Sequence, residues 1–210
     1  MNWTWIAGNL GAIADAAIDH IVLTVLAVGV GFAISLVLAL LIHRNRRFYS
    51  PISGITGLLY TIPSLALLAL LTPVTGLTLL TAEIALVSYT LLILTRHIVA
   101  GLDGVPPEID EAAVGMGYGF RGRLVRVDLP LAIPLIIAGL RVATVTTIGL
   151  VMVTAFIGEG GLGQLMLRGF NFRNYTAVYI GAIVTVGIAI VADLALITAG
   201  RLATPWTKAR

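Results

Sequence analysis

The chain has 210 residues, 59% of them apolar and 11% charged, with a mean hydropathy of +1.03 and a formal net charge of +3. Soluble domains carry roughly 25% charged residues, so this composition excludes a water-soluble globule and points to an integral membrane protein. Cysteine is absent, which excludes a disulfide framework and any thiolate metal site.

In chain order, the N-terminal stretch "MNWTWIAGNLGAIADAAIDH" has no basic n-region, and the apolar run behind it is too long for a signal peptide. Five stretches then reach the length of about 20 residues that a spanning helix needs. They lie at approximately 21–42, 52–71, 77–95, 131–157 and 175–199, giving one transmembrane domain over 1–210 of the all-α class. The first is free of charge, and the second holds Pro63 in "YTIPSL", which predicts a kink. The third carries Glu83, the fourth Pro134 and Arg141, and the fifth Asp193. Residues 158–173 are readable as helix or as loop.

Basic residues set an expected orientation. Arg44, Arg46, Arg47, Arg96, Arg121, Arg123, Arg126, Arg201, Lys208 and Arg210 fall on one side, against Arg168 and Arg173 on the other and Arg141 within a span. By the positive-inside rule the larger set is cytoplasmic, with the N-terminus outside and the C-terminus inside. Trp3, Trp5 and Trp206 suit interfacial anchoring, and the arginines read as topology rather than as a nucleic-acid surface.

The loop at 106–130, "PPEIDEAAVGMGYGFRGRLVRVDLP", is therefore expected in the cytoplasm. Pro107 suits the first turn of a helix, and Glu108, Asp110 and Glu111 follow where the helix dipole favours negative charge. Ile109, Ala112, Ala113 and Met116 recur at helical spacing. Gly117-Tyr118-Gly119 predicts a C-cap and turn, with φ > 0 at Gly117. A second short helix follows, with Phe120, Leu124 and Val127 on one face and Arg121, Arg123 and Arg126 on another, closed at Leu129-Pro130. Residue chemistry alone leaves open an amphipathic linker on the membrane surface or a docking element for a cytoplasmic partner.

"EAAVGMGYGFRGRLVRVDLP" resembles the signature of ABC-importer permeases. Glu111, Ala112, Ala113, Gly117, Val127, Leu129 and Pro130 fill its positions, with Val127 where isoleucine is commoner, and the resemblance extends over roughly 20–200. It implies the ABC-permease fold, with Glu111, Ala112, Ala113, Gly117, Tyr118 and Gly119 as the coupling helix that sits in a cleft of an ATP-hydrolysing subunit. "GLRVATVTTIGLVMVTAFIGEGGLGQLMLRGFN" (139–171) and "YTIPSLALLALL" resemble osmoprotectant permeases for glycine betaine, choline or carnitine, although methionine-type permeases share the "GGLG" element. The implied partners are ATP-binding subunits, a second permease chain (identical or homologous), an extracytoplasmic solute-binding protein and membrane lipid, in a bacterial or archaeal cytoplasmic membrane.

No enzyme chemistry is expected of this chain. A phosphate loop needs G-x-x-x-x-G-K-[ST], and the sole lysine, Lys208, is followed by Ala. ATP and Mg would be used by the partner, with no cofactor or metal bound here. "GEGGLGQ" (158–164) reads as a turn or re-entrant element at the external mouth, and His20, His43 and His97 as separate interfacial side chains. Intramembrane ionisable groups are functional candidates by default. Arg141 and Asp193 lie roughly 15 Å and 9 Å from the same end of spans four and five at the helical rise, within reach of each other as a structural pair. Tyr60, Pro63, Thr144, Thr146 and Thr147 are candidates for the translocation pathway, although packing explains the threonines equally well. Two further classes remain open: an ATP-independent channel or secondary transporter, and a membrane scaffold. Within the importer class, another small solute such as an amino acid competes with the osmoprotectants.

Overall fold

The computed structural model describes residues 1–205, which build only helices and their connections. In chain order these are α1 (Trp3–Gly8), α2 (Leu10–Arg44), α3 (Tyr49–Thr61), α4 (Ser64–Thr75), α5 (Leu79–Asp103), α6 (Pro107–Gly115), α7 (Phe120–Arg123), α8 (Leu129–Val151), α9 (Leu162–Asn171) and α10 (Tyr175–Ala203). Short 3-10 turns sit at Arg46–Phe48 and Val153–Ile157, and a π-helical segment, Leu124–Asp128, joins α7 to α8. Trp206, Lys208 and Arg210, read above as part of the cytoplasmic interface, lie outside the described residues.

Among the described residues, four helical stretches are long and apolar enough to cross a membrane: Leu10–Arg44, Leu79–Asp103, Phe120–Ile157 and Tyr175–Ala203. The pair Arg46–Thr61 and Ser64–Thr75 makes a fifth crossing if taken as one broken span. The expected kink at Pro63 is thus a 97° break rather than a bend within one helix. The residue before a proline is pushed out of the helical region, and Ile62 is extended (φ −68°, ψ 126°). That leaves a carbonyl without its helical donor, a costly vacancy at membrane depth. Tyr89 of α5 answers it by donating its hydroxyl hydrogen to Ile62 O.

Other boundaries differ from expectation in the same direction. Span one begins at Leu10 rather than at 21, because "GAIADAAID" is alanine-rich and continues the helix despite Asp15 and Asp19. Span three runs on to Asp103 and takes Arg96 and His97 into helix. The second helix of the 106–130 loop does not close at Leu129-Pro130. Pro130 has no amide to give to the carbonyl four residues back, and the chain compensates with a wider turn in which Leu129 N–H reaches Leu124 O. Helix therefore continues from Phe120 through α8.

The bundle is centred on α2, α5 and α8, with α10 against α8 and α9. Small residues set these approaches, as expected where lipid supplies no hydrophobic drive between helices. A Cβ at Gly31 would lie 1.8 Å from Thr90 Oγ1, one at Gly101 3.0 Å from Ala132, and one at Gly139 2.5 Å from the His97 Cβ. Two apolar clusters fill the interior. One gathers Leu23, Leu67, Leu68, Leu86 and Tyr89 with Val151, and the other Ile42, Ile98, Val99 and Leu102 with Ile136. Threonine hydroxyls bond back to their own helix, as the buried Thr24 does to His20 O at 2.9 Å and the half-buried Thr185 to Gly181 O at 2.8 Å. By contrast α10 buries only Thr176, Ala177 and Gly181 and presents an apolar outer face.

Candidate functional site

The patterned loop is a nine-residue helix, a glycine turn and the start of a long stem. Pro107 occupies the first turn of α6, with Glu108 and Asp110 beside the helix N-terminus. The turn is closed by three backbone bonds: Met116 N–H to Ala112 O (3.0 Å), Gly117 N–H to Val114 O (2.9 Å) and Tyr118 N–H to Ala113 O (3.1 Å). Gly117 stands at φ +85°, the left-handed region that favours glycine.

Of the apolar positions on α6, only Ala113 is buried. Ile109, Val114 and Met116 are exposed at 38%, 58% and 70%. The helix therefore turns one small residue inward and leaves its larger apolar side chains uncovered at the tip of the molecule. Glu111 and Ala112 are exposed as well. Tyr118 is half-buried, with the Arg126 guanidinium 5.9 Å from its ring centre. Two open hollows of about 400 and 480 Å³ flank this tip, the first reached by Glu111, Val114 and Gly115, the second by Gly117, Tyr118 and Gly119.

Within the bundle, Arg141 and Asp193 meet in a two-pronged contact: Nε donates to Oδ1 at 2.7 Å and Nη2 to Oδ2 at 3.0 Å. The fork geometry links α8 to α10, where few other polar contacts exist. The pathway candidates are not assembled into one surface. Tyr60 is exposed and meets Tyr89 edge-to-face with centroids 5.9 Å apart, beside the Pro63 break. Thr147 is buried, Thr144 is half-buried one turn before it on the same side of α8, and Thr146 is half-buried on another side.

Residues 158–161 are a glycine turn with φ +90°, +114° and +48° at Gly158, Gly160 and Gly161. Helix α9 follows, so the undecided segment is mostly helical. The turn presses on α2: a Cβ at Gly161 would stand 2.4 Å from Ala16 O and 2.6 Å from His20 N. Beside it opens a cleft of about 630 Å³, faced by Asp15, Asp19, Glu159, Gln164 and Arg168, at the end opposite the 106–130 loop.

Sequence reasoning misplaced two histidines. His20 is fully buried, its Nε2 3.0 Å from Ile148 O, because α2 extends past it and the glycine turn covers it. His43 lies 3.5 Å from the buried Asp128 and stacks on Phe120 at 6.1 Å. Among the described residues no His/Asp/Glu cluster suited to a metal ion occurs. Arg123 was read only as part of a basic face, yet it stands 3.4 Å from Asp128 and 3.5 Å from Asp110. A regular helix would set Arg123 and Asp128, five residues apart, on different sides. The π turn, which closes on the fifth residue, brings them together. A carboxylate immediately before Leu-Pro was the one available signal.

A bundle of spanning helices with close, small-residue crossings and an exposed, glycine-capped helical loop defines the class of polytopic helical membrane proteins. Residues 31–198 match the family described as binding-protein-dependent transport system inner membrane component, and the chain belongs to that family. It is 36% identical over 190 residues to the osmoprotectant import permease protein OsmW of Salmonella typhimurium, covering 88% of each chain. It is 34% identical to the choline transport system permease protein OpuBB of Bacillus subtilis, over 94% of this chain and 91% of the relative. With the glycine betaine/carnitine/choline permease protein OpuCD of the same organism it shares 35% identity, over 98% and 90%. Among solved structures, the fold is similar to an inward-facing MetNI methionine ABC transporter chain, with TM-score 0.84 at 21% identity over 97% of this chain and 100% of that one. An amino acid ABC transporter chain follows at TM-score 0.74 and 20% identity, over 98% of each. The protein is thus an integral-membrane permease subunit of an ABC importer, in a multi-pass cytoplasmic-membrane setting.

Proposed function

We propose that this chain forms the passage for osmoprotectants such as glycine betaine, choline or carnitine in an importer driven by separate ATP-hydrolysing subunits. The carrying observation is the agreement of three relatives at 34–36% identity over most of their length, each named for osmoprotectant or choline-type transport. Solutes of this class carry a quaternary ammonium, which aromatic faces attract. Among the described residues, the Tyr60–Tyr89 edge-to-face pair beside the Pro63 break is the tyrosine pair that meets in this way, and we assign it, with Pro63, to the pathway. Thr144, Thr146 and Thr147 belong to the packing of α8 with the polar lining of that route.

In this reading the 106–130 loop faces the cytoplasm, in keeping with the clustering of Arg44, Arg46, Arg47, Arg96, Arg121, Arg123 and Arg126 at one end of the bundle. Glu111, Ala112, Ala113, Gly117, Tyr118 and Gly119 form the element that docks into the ATPase, and the exposure of Glu111, Ala112, Gly117 and Gly119 supports that role, with Ala113 seating α6 on the molecule. The N-terminus lies outside. Two permease chains, alike or homologous, face one another, and an extracytoplasmic binding protein delivers the solute. Arg141 and Asp193 hold α8 and α10 together as the bundle moves. ATP and Mg act in the partner.

The test is purification from native membranes in mild detergent, with identification of every companion chain. An ATP-binding subunit and a solute-binding protein are expected to accompany the permease. Recovery of this chain without any ATPase would sink the reading.

A further inference from the structure

Three elements converge at the base of the 106–130 loop: α6, the π-helical stem of α8, and the end of α2. Their meeting point is ionic. Arg123 Nη1 lies 3.5 Å from Asp110 Oδ2 on α6, and Arg123 Nε lies 3.4 Å from Asp128 Oδ2 on the stem. His43 Nε2 of α2 is 3.5 Å from that same Asp128 oxygen, and the His43 ring stacks on Phe120.

The Asp128 side chain is 1% exposed, and neither of its oxygens makes a hydrogen bond among the described residues. A carboxylate so buried is costly unless a cation compensates it. Arg123 is placed to do so, but it divides one guanidinium between two carboxylates that belong to different elements. All three contacts are longer than the roughly 2.7–2.9 Å of a tight charge-assisted hydrogen bond. The set therefore has room to close in either direction: towards Asp110, drawing α6 onto the stem, or towards Asp128, releasing α6. The five-residue π turn that joins Arg123 to Asp128 is also the least regular part of the stem, and such turns recur at functional sites.

We propose that Arg123 is the positioning residue that transmits displacement of α6 to the spans, with Asp110 as its grip on the loop and the Asp128–His43 contact as its grip on α8 and α2. The inference rests on the reading that α6 meets an ATPase, and it adds the linkage by which that meeting reaches the membrane. Loss of Arg123 leaves the loop surface intact but disconnects it, so ATP is consumed without matching movement of solute.

The experiment measures solute moved per ATP hydrolysed by the co-purified complex in liposomes, for the wild type, Arg123→Gln, Asp128→Asn and Arg123→Lys. Arg123→Gln and Asp128→Asn are expected to retain the ATPase and its hydrolysis while the ratio falls roughly tenfold, within the range of a coupling energy carried by one network. Arg123→Lys keeps the charge without the planar fork and restores part of the ratio. A wild-type ratio in both charge-removing variants overturns the proposal.

A second measurement needs neither ATPase nor transport. The chain contains no cysteine, so spin labels can be attached at Val114→Cys on α6 and Leu41→Cys on α2, both exposed. The label distance is expected to be narrowly distributed with Arg123 present and broad with Arg123→Gln. An unchanged distribution overturns the anchoring role. If the wild-type chain is recovered without an ATPase, the docking reading fails, and the label distances still decide whether Arg123 anchors α6.

Discussion

Replacing Gly161 with alanine tests how the glycine turn is locked onto α2. The added Cβ would stand 2.4 Å from Ala16 O and 2.6 Å from His20 N, both backbone atoms of a helix that cannot rotate away. Gly161 also stands at φ +48°, ψ −110°, outside the left-handed helical well, a backbone strain of about 1–3 kcal/mol for an L-residue. Forced overpacking adds typically about 1–3 kcal/mol, so the substitution is expected to destabilise by about 2–6 kcal/mol. Gly117→Ala is the internal control, because φ is +85° there but nothing lies within 4 Å of the new Cβ. It therefore carries only the backbone cost of about 1–2 kcal/mol. Thermal unfolding of the purified protein in detergent, followed by tryptophan fluorescence, reads the contrast. For a chain of this size about 1 kcal/mol shifts the midpoint by roughly 2–4 °C, so Gly161→Ala is expected near 10 °C below wild type and Gly117→Ala a few degrees below. A Gly161→Ala midpoint equal to wild type, or a larger loss for Gly117→Ala, would refute the reasoning.

Tyr89→Phe removes the hydroxyl that satisfies Ile62 O at the Pro63 break, and should cost about 1–3 kcal/mol, the penalty for a buried acceptor left unpaired; unfolding midpoints of the two proteins decide it. Asp193→Asn deprives Arg141 of both its carboxylate contacts and should lower the yield of assembled permease, measured by size-exclusion chromatography of the membrane extract. Unchanged yield and uptake would dispose of the pair's structural role. Glu111→Lys reverses charge on the exposed face of α6 and should uncouple ATP hydrolysis from uptake while leaving insertion unaffected, with normal uptake counting against docking at that face.

Much of this architecture was legible in the sequence because two strong signals act independently. Long apolar runs at 21–42, 77–95, 131–157 and 175–199 located the crossings, and the EAA-containing stretch located the loop. What escaped was non-local or continuous with helix. Asp15 and Asp19 do not stop α2, because a helix extending beyond the apolar layer can carry charges on its exposed side. Pro130 read as a terminator, yet one widened turn carries helix through it. Pro63 announced a kink but not its 97° size, which depends on Tyr89 accepting the task of capping the freed carbonyl. The histidines illustrate the limit most clearly: His20 is buried by a turn 140 residues later in the chain, and no local pattern encodes that contact.

The most direct test of the central claim is uptake of labelled choline or glycine betaine into liposomes carrying the purified complex, with the binding protein added and ATP supplied or withheld. The account predicts accumulation that requires both ATP and the binding protein, and that is lost with Glu111→Lys. Solute entry through this chain alone, equally fast with and without ATP, would contradict it.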